Sequence, residues 1–358
     1  MRIVVTGASG NVGTALLRQL AESGNGHEVI GVVRRPPERT GVYGSVTWRG
    51  LDIADADARD RLRRIFDGAD AVVHLAWGFQ PTRNTRYLTS VGVGGTSAVV
   101  DAAHDAAVGQ VVHMSSVGTY AAGRYGQRVD ESWPATGIAT SPYSRDKSAA
   151  EALLDAYESA HGSAAIPIAR MRPGFILQKI AASGLMRYAL PGYVPMRVVP
   201  LVPLLPLDRR LCIPVVHADD VAGAFVRVIE RRARGPFNVA AEPPVSRDDV
   251  GEVLGAKPIH VPSAVLGGLA DVAWRLRLQP VDRGWLDMAF SVPLLDCGRA
   301  RAELDWSPTW SSTEALADVI TGIGEHAHYG SPPLRRRSLL DRLRRDFTAG
   351  PITTRQRP

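Results

Sequence analysis

Apolar positions along this chain follow two alternating rhythms. Short β-branched runs give way to longer stretches with helical period, and the alternation repeats. Arg2–Val5, Glu28–Val33, Val46–Leu51, Ala71–Ala76, Gln110–Met114 and Ile166–Arg172 read as strands. Ala71–Ala76 is almost continuously apolar, as expected of a strand covered by helices on both faces. Helical spacing follows at Thr14–Leu20, Asp55–Phe66 and Thr89–Ala107, the last weakened at its start by Gly92, Gly94 and Gly95. Another helix opens at Tyr143 and runs through Tyr157. Val215–Asp220 reads as the start of a helix to Arg232, with Asp219 and Asp220 suited to its N-terminus. Pro236–Ala240 is a further short strand, and Ser246 can cap a helix to Leu254. Strands alternating with helices in this way predict an α/β, doubly wound, mainly parallel sheet. From Ala182 to Pro214 the chain is apolar and proline-rich with little periodicity, which reads as loops and a lid over a substrate.

The first strand runs into Thr6-Gly7-Ala8-Ser9-Gly10-Asn11-Val12-Gly13 and then a helix. Strand, glycine turn and helix together make a dinucleotide fingerprint. Gly7 permits the turn, Gly10 lets backbone approach a pyrophosphate, and Gly13 lets the helix pack closely on the strand. Helix-start amides, here those of Asn11, Val12 and Gly13, attract phosphate. The sheet is therefore expected to be Rossmann-like. A nucleotide-binding domain should cover 1–174 and a smaller C-terminal substrate lobe 175–330. Segments near 212–240 should return to the main sheet.

The second strand ends at Arg34-Arg35-Pro36-Pro37, where a dinucleotide fold faces the adenosine ribose. An acid there would bind the 2′-hydroxyl and repel a 2′-phosphate; two guanidiniums favour phosphate. NADP(H) is thus favoured over NAD(H), the alternative being two arginines that face water. His74 lies within a strand and reads as a packed residue rather than a catalytic one.

Net charge is +6 over 358 residues, but it is not spread over the body. Residues 331–358 hold eight arginines against Asp341 and Asp346, so the tail carries the whole excess and residues 1–330 are neutral. A body without net basic charge argues against nucleic-acid binding. In the tail Leu339, Leu340, Leu343 and Phe347 have helical spacing among the arginines. That pattern is compatible with weak contact to an anionic membrane surface, or with a solvated tail. Cys212 and Cys297 have no metal or redox spacing and read as buried thiols in a reducing cytoplasm. No secretory signal is expected, because the first residues already form the nucleotide strand.

Ser116 stands at the end of the fifth strand, where open α/β sheets hold ligands. Tyr143 and Lys147, four apart, share one helix face. A phenol near pKa ~10 is a poor base at neutrality, and a neighbouring ammonium is expected to lower it. Tyr143 can then exchange a proton with a carbonyl or alcohol while Ser116 holds the same oxygen. Lys147 is placed to hold the nicotinamide ribose as well.

Taken together, TGASGNVG at 6–13, Asp52-Ile53, HLA at 74–76, SSVGTY at 115–120, YSRDK at 143–147, RPG at 172–174, HADDVAGA at 217–224, FNVA at 237–240 and LDWSP at 304–308 carry a family resemblance. The chain resembles an extended short-chain dehydrogenase/reductase of the NAD-dependent epimerase/dehydratase type. By that resemblance Asp52 and Ile53 hold the adenine, Leu75 and Ala76 line the cofactor channel, and Pro173 and Gly174 sit near the nicotinamide. Trp77 and Phe175 would face substrate, and no metal is implied. Two departures stand out. Gly92 replaces a common asparagine, and Phe175 replaces a polar residue usual in nucleotide-sugar enzymes. The expectation is a cytoplasmic NADP(H)-preferring oxidoreductase acting on a fairly apolar small molecule, with a homodimer compatible but not required. A nucleotide-sugar epimerase or dehydratase and a non-catalytic dinucleotide sensor are the alternatives.

Overall fold

In the computed structural model, residues 1–78, 84–189, 203–276, 278–279 and 281–336 are described. Seven parallel strands form the central sheet: β1 (Arg2–Thr6), β2 (Glu28–Val33), β3 (Thr47–Gly50), β4 (Ala71–His74), β5 (Val111–Met114), β6 (Ile168–Pro173) and β7 (Gly235–Val239). Their spatial order is β7-β6-β5-β4-β1-β2-β3. The chain winds outward from β1 to β3, then crosses to β4 on the other side. The reversal opens a crevice between the C-terminal ends of β1 and β4, the usual ligand position in such sheets.

Period-2 alternation sends successive side chains to opposite faces. Ile3, Val5, Val73, Val112 and Met171 join one buried cluster, while Val4, Val72, Val111 and Ile168 join the other. Helices α1 (Asn11–Glu22) and α5 (Ala218–Arg231) fill the first side. Helices α2 (Ala58–Phe66), α3 (Gly95–Asp105) and α4 (Pro142–His161) fill the second. Each fully buried Val or Leu contributes about 1.5–3 kcal/mol over exposure, so both layers are needed to hold the sheet.

A third apolar cluster, with Ala182, Val215, Val245, Leu316 and Ile323, lies beyond β6. Phe175–Leu177 pairs in parallel with Val215–His217 there, so Val215–His217 is a strand and α5 begins only at Ala218. This corrects the expected single helix from Val215. Phe175 to Leu177 leave β6 as an extended edge that needs a partner. β7, by contrast, does join the main sheet beside β6. Asp220 accepts hydrogen bonds from Thr309 N at 2.8 Å and Trp310 N at 3.1 Å, and His217 stacks on Trp310 at 4.2 Å. Trp306 Nε1 also donates to Asp220 O at 2.9 Å, so the HADDVAGA stretch anchors the LDWSP stretch and the two residues after it.

Two further expectations change. Ala182–Ala189 is a helix despite Gly184, and Leu204–Leu207 is a strand paired with Lys257–His260, where loops were expected. The rest of that stretch, 190–202, and the amphipathic tail positions from 337 onward lie outside the described residues. The predicted helix from Thr89 to Ala107 is split: a helix at Thr85–Thr89 and a wider turn at Ser90–Gly94 precede α3. Glycine permits that widening, and close neighbours use the space. A Cβ on Gly92 would lie 2.9 Å from the Trp77 ring, and one on Gly95 would lie 2.5 Å from Ile53 Cδ1. Among the described residues no helix is long and apolar enough to cross a membrane.

Candidate active site

The crevice between β1 and β4 is built from backbone. Gly7 has φ +73°, and a Cβ there would sit 2.7 Å from Ala76 N. Only glycine fits both the conformation and the approach of Leu75 and Ala76. Gly10 caps α1 with no side-chain bond and no acid in the first turn. The first bond of the helix is Thr14 N to Gly10 O at 2.9 Å, so the amides of Asn11, Val12 and Gly13 precede the helical ladder. A cradle kept bare in this way fits a pyrophosphate. Val12 points its side chain into the core, and Gly13 packs where a Cβ would meet Ala8 O at 2.5 Å. The Asn11 side-chain amide instead ties to the strand Phe175–Leu177, with Asn11 Nδ2 donating to Ile176 O at 3.3 Å.

At the end of β2, Arg34 and Arg35 are exposed. Arg34 Nη1 donates to Tyr87 Oη at 2.6 Å, and Tyr87 Oη donates to Asp52 Oδ2 at 3.4 Å. Arg34 and Asp52 therefore border one surface, with Ile53 buried beside it. At the other end, Pro173 and Gly174 are buried where β6 leaves the sheet. A Cβ on Gly174 would meet Pro214 O at 2.5 Å, which explains the glycine. Phe175 is half-buried and packs against both the main core and the third cluster.

Ser116, Tyr143 and Lys147 converge past the end of β5. Ser141 caps α4, with Pro142 in its first turn, so the helix opens just before Tyr143. Gly118 lets the ring in: a Cβ there would lie 3.1 Å from Tyr143 Cε1 and 3.3 Å from Ser116 Oγ. Burial pushes the Tyr143 phenol up to about 12, while a hydrogen bond with Ser116 opposes that rise. Burial also pulls Lys147 down to about 7 against the attraction of Glu151. The ammonium was expected to lower the phenol; here the phenol rises. Lys147 Nζ donates to Met114 O at 2.7 Å and lies 5.9 Å from the Tyr143 ring centroid, but burial, not the ammonium, sets the direction of the phenol's shift. Desolvation then dominates.

Aromatic rings wall this corner. Trp77 meets Tyr143 edge-on at 6.3 Å, and Trp285 stacks on Tyr143 at 5.3 Å. Trp285 comes from the helix Arg283–Ser291 of the C-terminal lobe, and no spacing in the sequence connects it to Tyr143. Behind the site, Arg172 Nε donates to Glu151 Oε1 at 2.8 Å, Arg172 Nη1 to Tyr120 Oη at 3.0 Å, and Tyr120 Oη to Asn238 Oδ1 at 2.7 Å. Ser115 Oγ donates to the same Glu151 carboxylate. The SSVGTY, RPG and FNVA motifs thus meet in one buried network, whose charges are paired as buried charges must be. His74 is packed: its ring bonds Thr6 Oγ1 at 2.7 Å and Thr96 Oγ1 at 3.1 Å, and burial pushes it down to about 3.

The family model for the NAD dependent epimerase/dehydratase family matches residues 3–173. An uncharacterized protein of Mycobacterium tuberculosis is 26% identical over 325 residues, 90% of this chain but 30% of that protein, so the chain spans under a third of its length. Sterol demethylase protein B of Methylococcus capsulatus is 31% identical over 228 residues, 59% of this chain and 67% of that protein. A solved UDP-glucose 4-epimerase of Thermus thermophilus in complex with NAD has a TM-score of 0.66 at 20% identity, covering 90% of this chain and 99% of that one. That likeness is one of fold. The family match starts inside β1 and ends on the last residue of β6, taking in both the glycine turn and the Tyr143 helix, and the chain belongs to the NAD-dependent epimerase/dehydratase family.

Proposed function

We propose that the protein is an NADP(H)-preferring oxidoreductase acting on a carbonyl or hydroxyl of a fairly apolar small molecule. The observation that carries this reading is Tyr143, hydrogen-bonded to Ser116, raised to about 12 and walled by Trp77 and Trp285. A phenol in that state is a proton donor near neutrality. Bound nicotinamide supplies or takes the hydride. Ser116 orients the substrate oxygen, Tyr143 gives the proton to it in reduction, and the Lys147 ammonium favours the phenolate left behind. Gly7, Gly10 and the first amides of α1 hold the pyrophosphate, Asp52 and Ile53 the adenine, and Arg34 and Arg35 the 2′-phosphate. The aromatic walls offer apolar area and few polar partners, which supports a substrate without many hydroxyls. The sterol-related name of one relative points the same way.

A nucleotide-sugar epimerase or dehydratase is the second reading, favoured by the likeness to a UDP-glucose 4-epimerase. The two separate on cofactor balance. An epimerase returns the hydride to its substrate, so no NADPH is consumed. A panel of apolar ketones and nucleotide sugars, followed by NADPH absorbance and product analysis, tests both. Stoichiometric NADPH loss with a ketone supports the first reading. Turnover of a nucleotide sugar with no net loss and no ketone activity defeats it.

A further inference from the structure

The Trp77 ring lies against a buried cation. Lys147 Nζ is 3.5 Å from the Trp77 ring centroid, and Lys147 keeps 1% of its surface exposed. A buried ammonium is costly unless something compensates it. Met114 O accepts one hydrogen bond from Nζ. The Glu151 carboxylate, one turn along α4, is already engaged by Arg172 and Ser115. Glu151 still attracts Nζ, and the Tyr143 ring lies 5.9 Å away, but the Trp77 face at 3.5 Å is the nearer ring, and an indole is the strongest such face among the side chains.

The fold makes room for this ring in particular. A Cβ on Gly92 would lie 2.9 Å from Trp77 Cη2 and Cζ2, so the indole is seated on a bare backbone position. Tyr143 at 6.3 Å and His113 at 6.4 Å meet it edge-on. We infer that Trp77, seated on Gly92, is a positioning residue that holds the Lys147 ammonium in place through its ring face. Gly92 and Trp77 act as a pair, because any side chain at 92 pushes the indole off the cation.

The inference rests on Lys147 belonging to the reaction site, but its test does not use turnover. Tyr143 and Glu151 face Lys147 from its own helix, His74 from β4 and His113 from β5. Burial keeps both histidines neutral well below the range in which Lys147 titrates, and Tyr143 ionises above it. None of these titratable groups is changed by the test, which alters only Trp77 or Gly92.

The chain has just three lysines, Lys147, Lys179 and Lys257, so lysine labelled with carbon-13 at Cε gives three signals. Lys179→Arg and Lys257→Arg assign them. Titrating the full chain without cofactor should show the Lys147 midpoint falling by about one pH unit in Trp77→Leu, because the charged form loses its aromatic partner. Trp77→Phe keeps a weaker face and should fall less. Gly92→Ala should shift the midpoint in the same direction with Trp77 intact. Unchanged Lys179 and Lys257 signals report that the fold persists. A Lys147 midpoint equal to the parent's in Trp77→Leu overturns the inference. Should Trp77→Leu not fold, unshifted midpoints in Trp77→Phe and Gly92→Ala overturn it instead. Failure of Tyr143→Phe to slow turnover would reject the proposed reaction while leaving these midpoints where they are.

Discussion

The Arg34 guanidinium and the Asp52 carboxylate share one phenol: Tyr87 Oη accepts from Arg34 at 2.6 Å and donates to Asp52 at 3.4 Å. A positive group and the carboxylate assigned to the adenine are thus held on one surface. Charge-assisted bonds to a phosphate are worth about 1.5–3 kcal/mol each, or roughly ten- to a hundredfold in affinity. NADPH should therefore bind more tightly than NADH by about that factor. Arg34→Ala combined with Arg35→Ala should remove most of the difference. Fluorescence titration with both cofactors checks it, and equal dissociation constants in the parent protein would count decisively against it.

Tyr143→Phe keeps the ring between Trp77 and Trp285 but deletes the proton. Turnover should fall by roughly 10²-fold or more, with cofactor affinity nearly unchanged. The direction of the pKa shift adds a pH signature. A phenol held up to about 12 is protonated through the neutral range. On this group alone, reduction is flat with pH, while oxidation needs phenolate and rises about tenfold per pH unit. Stopped-flow rates in both directions across pH 6–9 would expose a violation of either slope.

The same residues mark what sequence could and could not reveal. Val4, Val72 and Val111 announce central strands because a helix-covered strand has no polar face to interrupt the run. Val215–His217 hides, because two valines and the histidine that caps the helix look like its first turn. Leu204–Leu207 hides behind Pro203 and Pro206, which sequence logic assigns to loops. The proximity of Ser116, Tyr143 and Lys147 was legible because helix and strand geometry fix their approach. Trp285 was not, since packing between two lobes leaves no local spacing. Tyr120 and Asn238 were visible as motif members, but a hydrogen bond across 118 residues of chain is a property of the fold, not of either motif.

Lys147 also leaves a mark on stability. Its folded pKa near 7 lies below the ordinary 10.5 of the unfolded chain. The unfolded state then binds more protons between those values, so stability rises with pH across that window. The penalty is fully present below about pH 7 and gone above about 10.5. Lys147→Met removes the titrating group. Its thermal midpoint relative to the parent should therefore climb as pH falls from 10.5 to 7 and level off below. A difference that is constant with pH would show that Lys147 keeps its ordinary affinity for protons in the folded protein.

Substrate size should be read by Trp285 rather than Phe175. Phe175 packs against two apolar clusters at once, so Phe175→Asn would put an amide where few partners exist and cost stability as well as specificity. Trp285 is half-buried and stacks on Tyr143 at 5.3 Å. Burying one substrate methylene contributes about 0.8 kcal/mol, close to fourfold in affinity. In a series of ketones of growing chain length, kcat/KM should therefore climb about fourfold per methylene until the ring stops it. Trp285→Ala should move that stopping point to longer ketones and lower kcat/KM for the short ones, with NADPH affinity unaltered. A chain-length profile that is flat in the parent, or identical in the variant, would remove the apolar pocket from the reading and leave the nucleotide-sugar reaction as the better account.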